Sequence, residues 1–378
     1  MLDPWFEDKL NERRSRQLLR ILTTKQGLVD FTSNDYLGLA ASNELFNAIE
    51  ERIQEPELKL NGSGGSRLLS GNSEYAERLE AKLAGIFHSD ATLLFNSGYT
   101  ANLGVLSSLA TRQSTIIYDE LAHACIKDGA RLSQAKRFSF KHNDLNDLES
   151  KIKKSSGKIL IAVESIYSMD GDMCPLSDVI SLAEKYDANI ILDEAHSTGV
   201  MGRSGCGLSV SLQLHEKIAV RIYTFGKAMG VHGACVAGSR LLQQYLVNFS
   251  RPFIYTTALP AHSLAAIECS FDYLIRNLSL QETLRERIDT YMRQIGDLSN
   301  RTNSTSAIQT ILLDGNDNAI QTAARLQRMG YDVRPILSPT VPEGKERLRI
   351  CLHSFNSEEQ IKGLTKGLKE ISAEHSRL

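Results

Sequence analysis

From about residue 60 to residue 240 the sequence repeats one pattern, in which glycine-rich turns lead into helical segments separated by short, uninterrupted apolar runs. The runs lie at 91–95 (ATLLF), 115–118 (TIIY), 158–163 (KILIAV), 188–192 (ANIIL), 218–223 (IAVRIY) and 234–237 (ACVA). A strand with one face in water alternates apolar and polar residues; these runs do not alternate, so they predict strands covered on both faces, as in a largely parallel sheet between helices. Helices are predicted between them at 73–87, 99–111, 122–133, 144–154 and 176–186. Such a βαβ rhythm specifies an open α/β unit, whose ligands bind beyond the carboxyl ends of the strands.

The texture changes after Pro260. One long helical stretch, 261–298, is followed by a run at 307–313, a helix at 318–329, runs at 331–334 and 347–353, and a last helix at 357–374. At the other end, 4–22 reads as an exposed amphipathic helix, 28–31 as a short strand and 32–38 as a loop. A chain of 378 residues exceeds one ordinary core. The expected organisation is an N-terminal helix and segment (1–45) packed on a small domain, a large α/β domain (46–265), and a small α+β domain (266–378).

Composition narrows the function. Lysine and arginine total 43 against 45 acidic residues, so nothing draws the whole molecule to nucleic acid or anionic lipid. No apolar run approaches the ~20 residues of a membrane span, and the first residues lack the pattern of a secretory signal, so a cytoplasmic location is expected. The six cysteines are scattered without CxxC pairs and the histidines show no HExxH, so no metal site is expected.

The residues that could carry chemistry sit just after the apolar runs. Asp193-Glu194-Ala195-His196 closes the run ending at 192, and Lys227 lies in TFGKAMG just after the run ending at 223. If both are strands of one parallel sheet, Asp193, His196 and Lys227 share a pocket. A lysine in a glycine-flanked turn near a buried aspartate suggests a Schiff-base lysine serving pyridoxal phosphate: the pyridine nitrogen needs a carboxylate to stay protonated, and the aldehyde needs an amine that is not permanently ammonium. The phosphate needs backbone amides and hydroxyls at a helix N-terminus, which Asn96-Ser97-Gly98-Tyr99-Thr100 can supply. Each piece alone is weak, since a lysine in a glycine turn is more often a solvated surface residue. DEAH also occurs in nucleotide-driven helicases, but the chain has no Gly-Lys-Ser/Thr loop; 62–67 (GSGGSR) has arginine in place of the third glycine of a dinucleotide loop, and no GxSxG elbow is present.

Eight blocks in order, FTSNDYLGL (31–39), GSGGSRLLSGN (62–72), FNSGYTAN (95–102), DELAHACIKDGARLS (119–133), VESIYSMDGDMCPL (163–176), DEAHSTG (193–199), TFGKAMG (224–230) and PTVPEGKERLRI (339–350), give the chain a resemblance almost from end to end. It resembles the α-oxoamine synthases, fold-type I pyridoxal-phosphate transferases that condense an amino acid with an acyl thioester and lose carbon dioxide, and most of all their oxononanoate-forming branch. The resemblance implies a large, mostly parallel sheet domain with a smaller α+β domain. It implies Lys227 as the cofactor-binding lysine and base, Asp193 as the pyridinium partner, His196 at the phenolic oxygen and His123 stacked on the ring. Gly98, Tyr99, Ser168 and Thr224 match phosphate and ring contacts, and Thr256 matches a segment reaching the neighbouring subunit's phosphate, so a homodimer with shared active sites is implied. Arg349 matches the clamp on the amino acid carboxylate, Asn34 a residue assisting there, and Arg20 and Thr340 positions associated with substrate. His232 departs from the small residue common at its position. The implied substrates are L-alanine and pimeloyl-CoA or a pimeloyl-acyl carrier protein; a sister reaction of glycine or another amino acid with a different acyl-CoA, as in 2-amino-3-ketobutyrate ligases, is the alternative.

Overall fold

The computed structural model describes residues 2–16, 18–22, 24 and 27–375. Its strands, in chain order, are β1 (Val29–Asp30), β2 (Ala91–Phe95), β3 (Ser114–Asp119), β4 (Lys136–Phe140), β5 (Lys158–Glu164), β6 (Asn189–Asp193), β7 (Val220–Thr224), β8 (Ala234–Gly238), β9 (Ile308–Leu312), β10 (Tyr331–Asp332), β11 (Arg334–Ile336) and β12 (Arg347–Cys351). Seven of them form one sheet in the order β2-β8-β7-β6-β5-β3-β4, in which β4, β3, β5, β6 and β7 are parallel and β8 alone runs antiparallel to both its neighbours. A three-stranded antiparallel sheet, β11-β12-β9, follows in the C-terminal part.

The unbroken apolar runs have the expected cause. Along β3, β5 and β6, Ile116, Leu160 and Ile191 enter one buried cluster while their neighbours Ile117, Ile161 and Leu192 enter another on the opposite face. The first cluster is closed by the helices Gly98–Leu109, Ala124–Leu132 and Arg240–Phe249, and the second by Leu145–Lys153 and Leu176–Lys185. A third cluster joins the helix Glu74–Ile86 and β7 to the C-terminal sheet and its helices. At its centre Phe87, fully buried, stacks on Tyr223 of β7 with ring centroids 3.7 Å apart. Beside the pair, buried Arg221 donates to the carbonyls of Phe87 (2.6 Å) and His88 (3.0 Å).

Several expectations need correction. The helix expected over 4–22 spans Asp3–Ser15 and every one of its residues is exposed, so it buries nothing against the C-terminal part; residue 17 lies outside the described residues. The contact there is made instead by β1, which pairs in parallel with β10, Val29 opposite Tyr331. The single helix expected at 261–298 is two, Ala261–Arg276 and Ser279–Ile295, because Asn277 leaves helical geometry. The strand β4 escaped notice because, as an edge strand, KRFSF carries charge and exposes most of its length. The helix Asn43–Arg52, capped by Ser42, was also missed. Among the described residues no helix is long and apolar enough to cross a membrane.

Replacing Phe87 by alanine should cost about 3–5 kcal/mol of unfolding free energy, the range for emptying a buried aromatic site. Denaturant titration checks this, and a loss below about 1 kcal/mol would contradict the packing just described.

Candidate active site

Three parallel strands end side by side. Glu164 and Asp193 are register partners at the ends of β5 and β6, and the turn after β7 carries Lys227. Asp193 is buried; its Oδ1 accepts the Ala195 N–H at 2.8 Å and its Oδ2 accepts Asn102 Nδ2 at 2.7 Å. Asn102 lies one turn into the helix that opens at Gly98, so the helix following β2 orients the carboxylate of β6.

Lys227 Nζ lies 2.7 Å from His196 Nε2, and Tyr36 Oη lies 2.8 Å from His196 Nδ1. Burial holds the lysine amine below its ordinary pKa, against the opposing pull of Asp193 and Glu164. Burial, with the Lys227 charge beside it, pushes His196 well below its ordinary value. An amine and a buried imidazole in contact disfavour a charge on both, so the two groups share at most one proton between them.

The contacts extend from His196 towards the C-terminal sheet. Tyr36 Oη donates to Asn34 Oδ1 at 3.1 Å, and the same oxygen accepts Arg349 Nη2 at 2.9 Å. Arg349 Nε donates to the Ser168 carbonyl at 2.6 Å. A cavity of about 800 Å³ opens beside Lys227, lined in part by Ser33, Asn34, Leu37, Val231, Tyr273 and Phe355. That volume suits a small organic ligand.

On the other side, Ser97 caps the helix Gly98–Leu109 in a reciprocal pair with Thr100, leaving the first helical N–H groups, those of Gly98 and Tyr99, without intrahelical acceptors. A Cβ at Gly98 would stand 3.2 Å from Thr224 Cβ, so glycine is what lets this helix start lie against buried Thr224. His123 caps the helix Ala124–Leu132 through Nδ1 and the Cys125 N–H, its own N–H donates to Glu164 Oε1, and its exposed ring meets Tyr99 edge-on at 6.5 Å. Tyr99 is exposed, with Oη bonded to Asp128. These parts fit pyridoxal phosphate: a lysine whose charge burial disfavours for an aldehyde, a buried carboxylate for a pyridinium, and a helix start with adjacent hydroxyls for a phosphate.

The remaining predicted residues lie apart from these contacts. Arg20 and Thr340 are exposed and meet each other at 3.4 Å. Thr256 Oγ1 lies 3.3 Å from Asn96 Nδ2 of the same chain, next to the helix start. His232 is exposed. Tyr36, Asn102 and Glu164 were missed, although all three fall in the motif blocks; nothing in the sequence distinguishes a tyrosine that reaches a histidine 160 residues away from one that packs in the core.

The aminotransferase class I and II family model matches residues 26–368. The chain belongs to that family, and its fold is that of the fold-type I pyridoxal-phosphate transferases. Its relatives include 8-amino-7-oxononanoate synthases: that of Emericella nidulans is 38% identical over 95% of this chain and 91% of its own length, and that of Chromobacterium violaceum is 38% identical over 94% of both. Among solved structures, the Francisella tularensis 8-amino-7-oxononanoate synthase aligns with a TM-score of 0.80 at 29% identity, covering 93% of this chain and 99% of that one. Sphingomonas wittichii serine palmitoyltransferase aligns with a TM-score of 0.88 at 24% identity over 100% of this chain and 98% of its own, a likeness of fold.

Glu164 supplies a pH test. Burial, then the Asp193 charge, pushes its pKa up to about 8. The folded chain therefore binds a proton there that the unfolded chain has released, and stability should fall as pH rises from the ordinary glutamate range through about 8. Glu164→Gln keeps an acceptor for the His123 N–H and removes the titration. The stability difference between variant and wild type, measured by denaturation at pH 5 and pH 9, should shift in the variant's favour at pH 9 (~pH values spanning the carboxyl titration); a constant difference would refute the assignment.

Proposed function

We propose that the chain catalyses the decarboxylative condensation of L-alanine with a pimeloyl thioester, giving 8-amino-7-oxononanoate, carbon dioxide and the free thiol, with pyridoxal 5'-phosphate as cofactor. The observation that carries this reading is the Lys227–His196 contact beside buried Asp193, in a site that also presents the Arg349 guanidinium. Synthase relatives at 38% identity over nearly the whole chain support the choice of substrates.

The cofactor, when bound, supplies an electron sink for the carbanion left by loss of a proton or of carbon dioxide. Lys227 would hold it covalently, and its amine, once free and neutral, would take the α-proton of the amino acid at Nζ. Asp193, fixed by Asn102 and Ala195, would hold a proton on the ring nitrogen. His196, oriented by Tyr36, and the exposed His123 would be the residues that hold the ring. Gly98, Tyr99, Ser168 and Thr224 would hold the phosphate and ring. Arg349, with Asn34 beside it, receives the amino acid carboxylate through a guanidinium fork. Arg20 and Thr340, already paired, form an outer substrate contact.

The working unit in this reading is a cytoplasmic homodimer in which Thr256 serves the neighbouring subunit's phosphate. Exposed Trp5, Phe6 and Leu10 on the N-terminal helix leave apolar surface for a second chain to cover.

Assays crossing L-alanine and glycine with pimeloyl-CoA and acetyl-CoA test the reaction. Alanine with the pimeloyl donor should be fastest; faster turnover of glycine with acetyl-CoA would assign the sister reaction. Lys227→Ala should abolish both turnover and the visible absorbance of the bound cofactor, whereas Arg349→Ala should retain the absorbance and raise the alanine KM by about two orders of magnitude, the scale of losing a charged hydrogen-bonded partner.

A further inference from the structure

The loop that carries Ser168 is held both from the C-terminal sheet and from the large sheet. Residues 167–172 close on themselves through Tyr167 N–H to the Asp172 carbonyl (3.0 Å) and Gly171 N–H to the Tyr167 carbonyl (2.9 Å). Each carbonyl from 168 to 171 then accepts a side chain from the C-terminal part: Ser168 from Arg349 Nε, Met169 from Thr310 Oγ1 (2.9 Å), Asp170 from Thr302 Oγ1 (3.1 Å) and Gly171 from Ser304 Oγ (2.9 Å). The loop lies so close to β9 that a Cβ at Gly171, whose φ is +73°, would stand 2.1 Å from the Ile308 carbonyl oxygen. Arg347, two residues before Arg349 on β12, is buried and ion-paired with Asp170.

The opposite side is tied to the large sheet. His142 bridges two carboxylates, with Nδ1 2.9 Å from Asp119 Oδ1 at the end of β3 and Nε2 2.7 Å from Asp172 Oδ2. Burial works against its charge, but the two carboxylates hold its pKa up to about 10, so the bridge is ionic at neutral pH. Asn143 reinforces it, its N–H on Asp119 Oδ2 (3.0 Å) and Nδ2 on Asp172 Oδ2 (2.9 Å).

We propose that this loop is a positioning element for the amino acid substrate: His142 through Asp172, and Thr310 and Arg347 from the C-terminal sheet, hold the Ser168 carbonyl where it orients the Arg349 guanidinium. Arg349 has three anchoring atoms, Nε on Ser168, Nη2 on Asn34 and Nη1 on Cys351 Sγ (3.0 Å), and the Ser168 carbonyl is the one at which both halves of the fold meet. His142 and Thr310 are thus positioning residues that act through Arg349. The inference rests on the reading that Arg349 receives a carboxylate.

The test uses holoenzyme, the bound cofactor's absorbance reporting amine binding. Dissociation constants are compared for L-alanine and for L-alaninamide, which lacks the carboxylate. In His142→Gln the constant for alanine should rise about tenfold, the scale of one weakened charged contact, while that for alaninamide changes less than about twofold. Thr310→Val removes one hydroxyl with little change of shape, and should shift the same ratio in the same direction by a smaller factor. Should His142→Gln fail to fold, Thr310→Val decides the matter by that ratio. Equal weakening of both ligands, or no change in either, would overturn the proposal. Failure of the substrate reading shows separately, as wild-type holoenzyme that prefers glycine; glycine and glycinamide then replace the alanine pair.

Discussion

The site depends on an amine and an imidazole brought into contact, the imidazole buried and the amine half-buried at the edge of a cavity. Lys227 and His196 meet at 2.7 Å, and His196 is almost completely buried. In water the lysine would be a permanent ammonium and useless as a nucleophile or base. Burial weakens that preference, against the opposing pull of the Asp193 and Glu164 carboxylates. Tyr36 then fixes the imidazole from its far nitrogen and ties it, through Asn34, to Arg349. One chain of contacts thereby joins Lys227 and His196 to Arg349.

That geometry is a consequence of the sheet. Parallel strands deliver their carboxyl ends to one edge, so β5, β6 and β7 present Glu164, Asp193 and the Lys227 turn together. The cost is two acidic residues in register at a buried edge. The structure meets it unequally: Asp193 has a side-chain amide and a backbone N–H on its two oxygens, whereas Glu164 is left with a backbone N–H and a raised pKa.

Much of the fold was legible because each large-sheet strand, except β4, is buried on both faces and carries an unbroken apolar run. β4 failed that criterion through its exposed lysine and arginine, and the break at Asn277 was hidden by apolar spacing that continues across it. Asp193, His196 and Lys227 were legible by position, at the ends of recognisable strands. Tyr36, Asn102 and His142 were not, since each acts on a partner distant in sequence and no local pattern marks the encounter.

The sequence by itself determined the layered α/β core and the order of strands and turns in the chain, because local periodicity reports which faces are covered. It also placed the lysine and aspartate of the site after two of those strands. Only the tertiary structure decided the strand order in space, the reversal of β8, the exposure of the N-terminal helix, and the gripping of residues 168–171 by side chains more than 130 positions away. Those outcomes follow from long-range packing and hydrogen-bond satisfaction, which no local pattern of residues records.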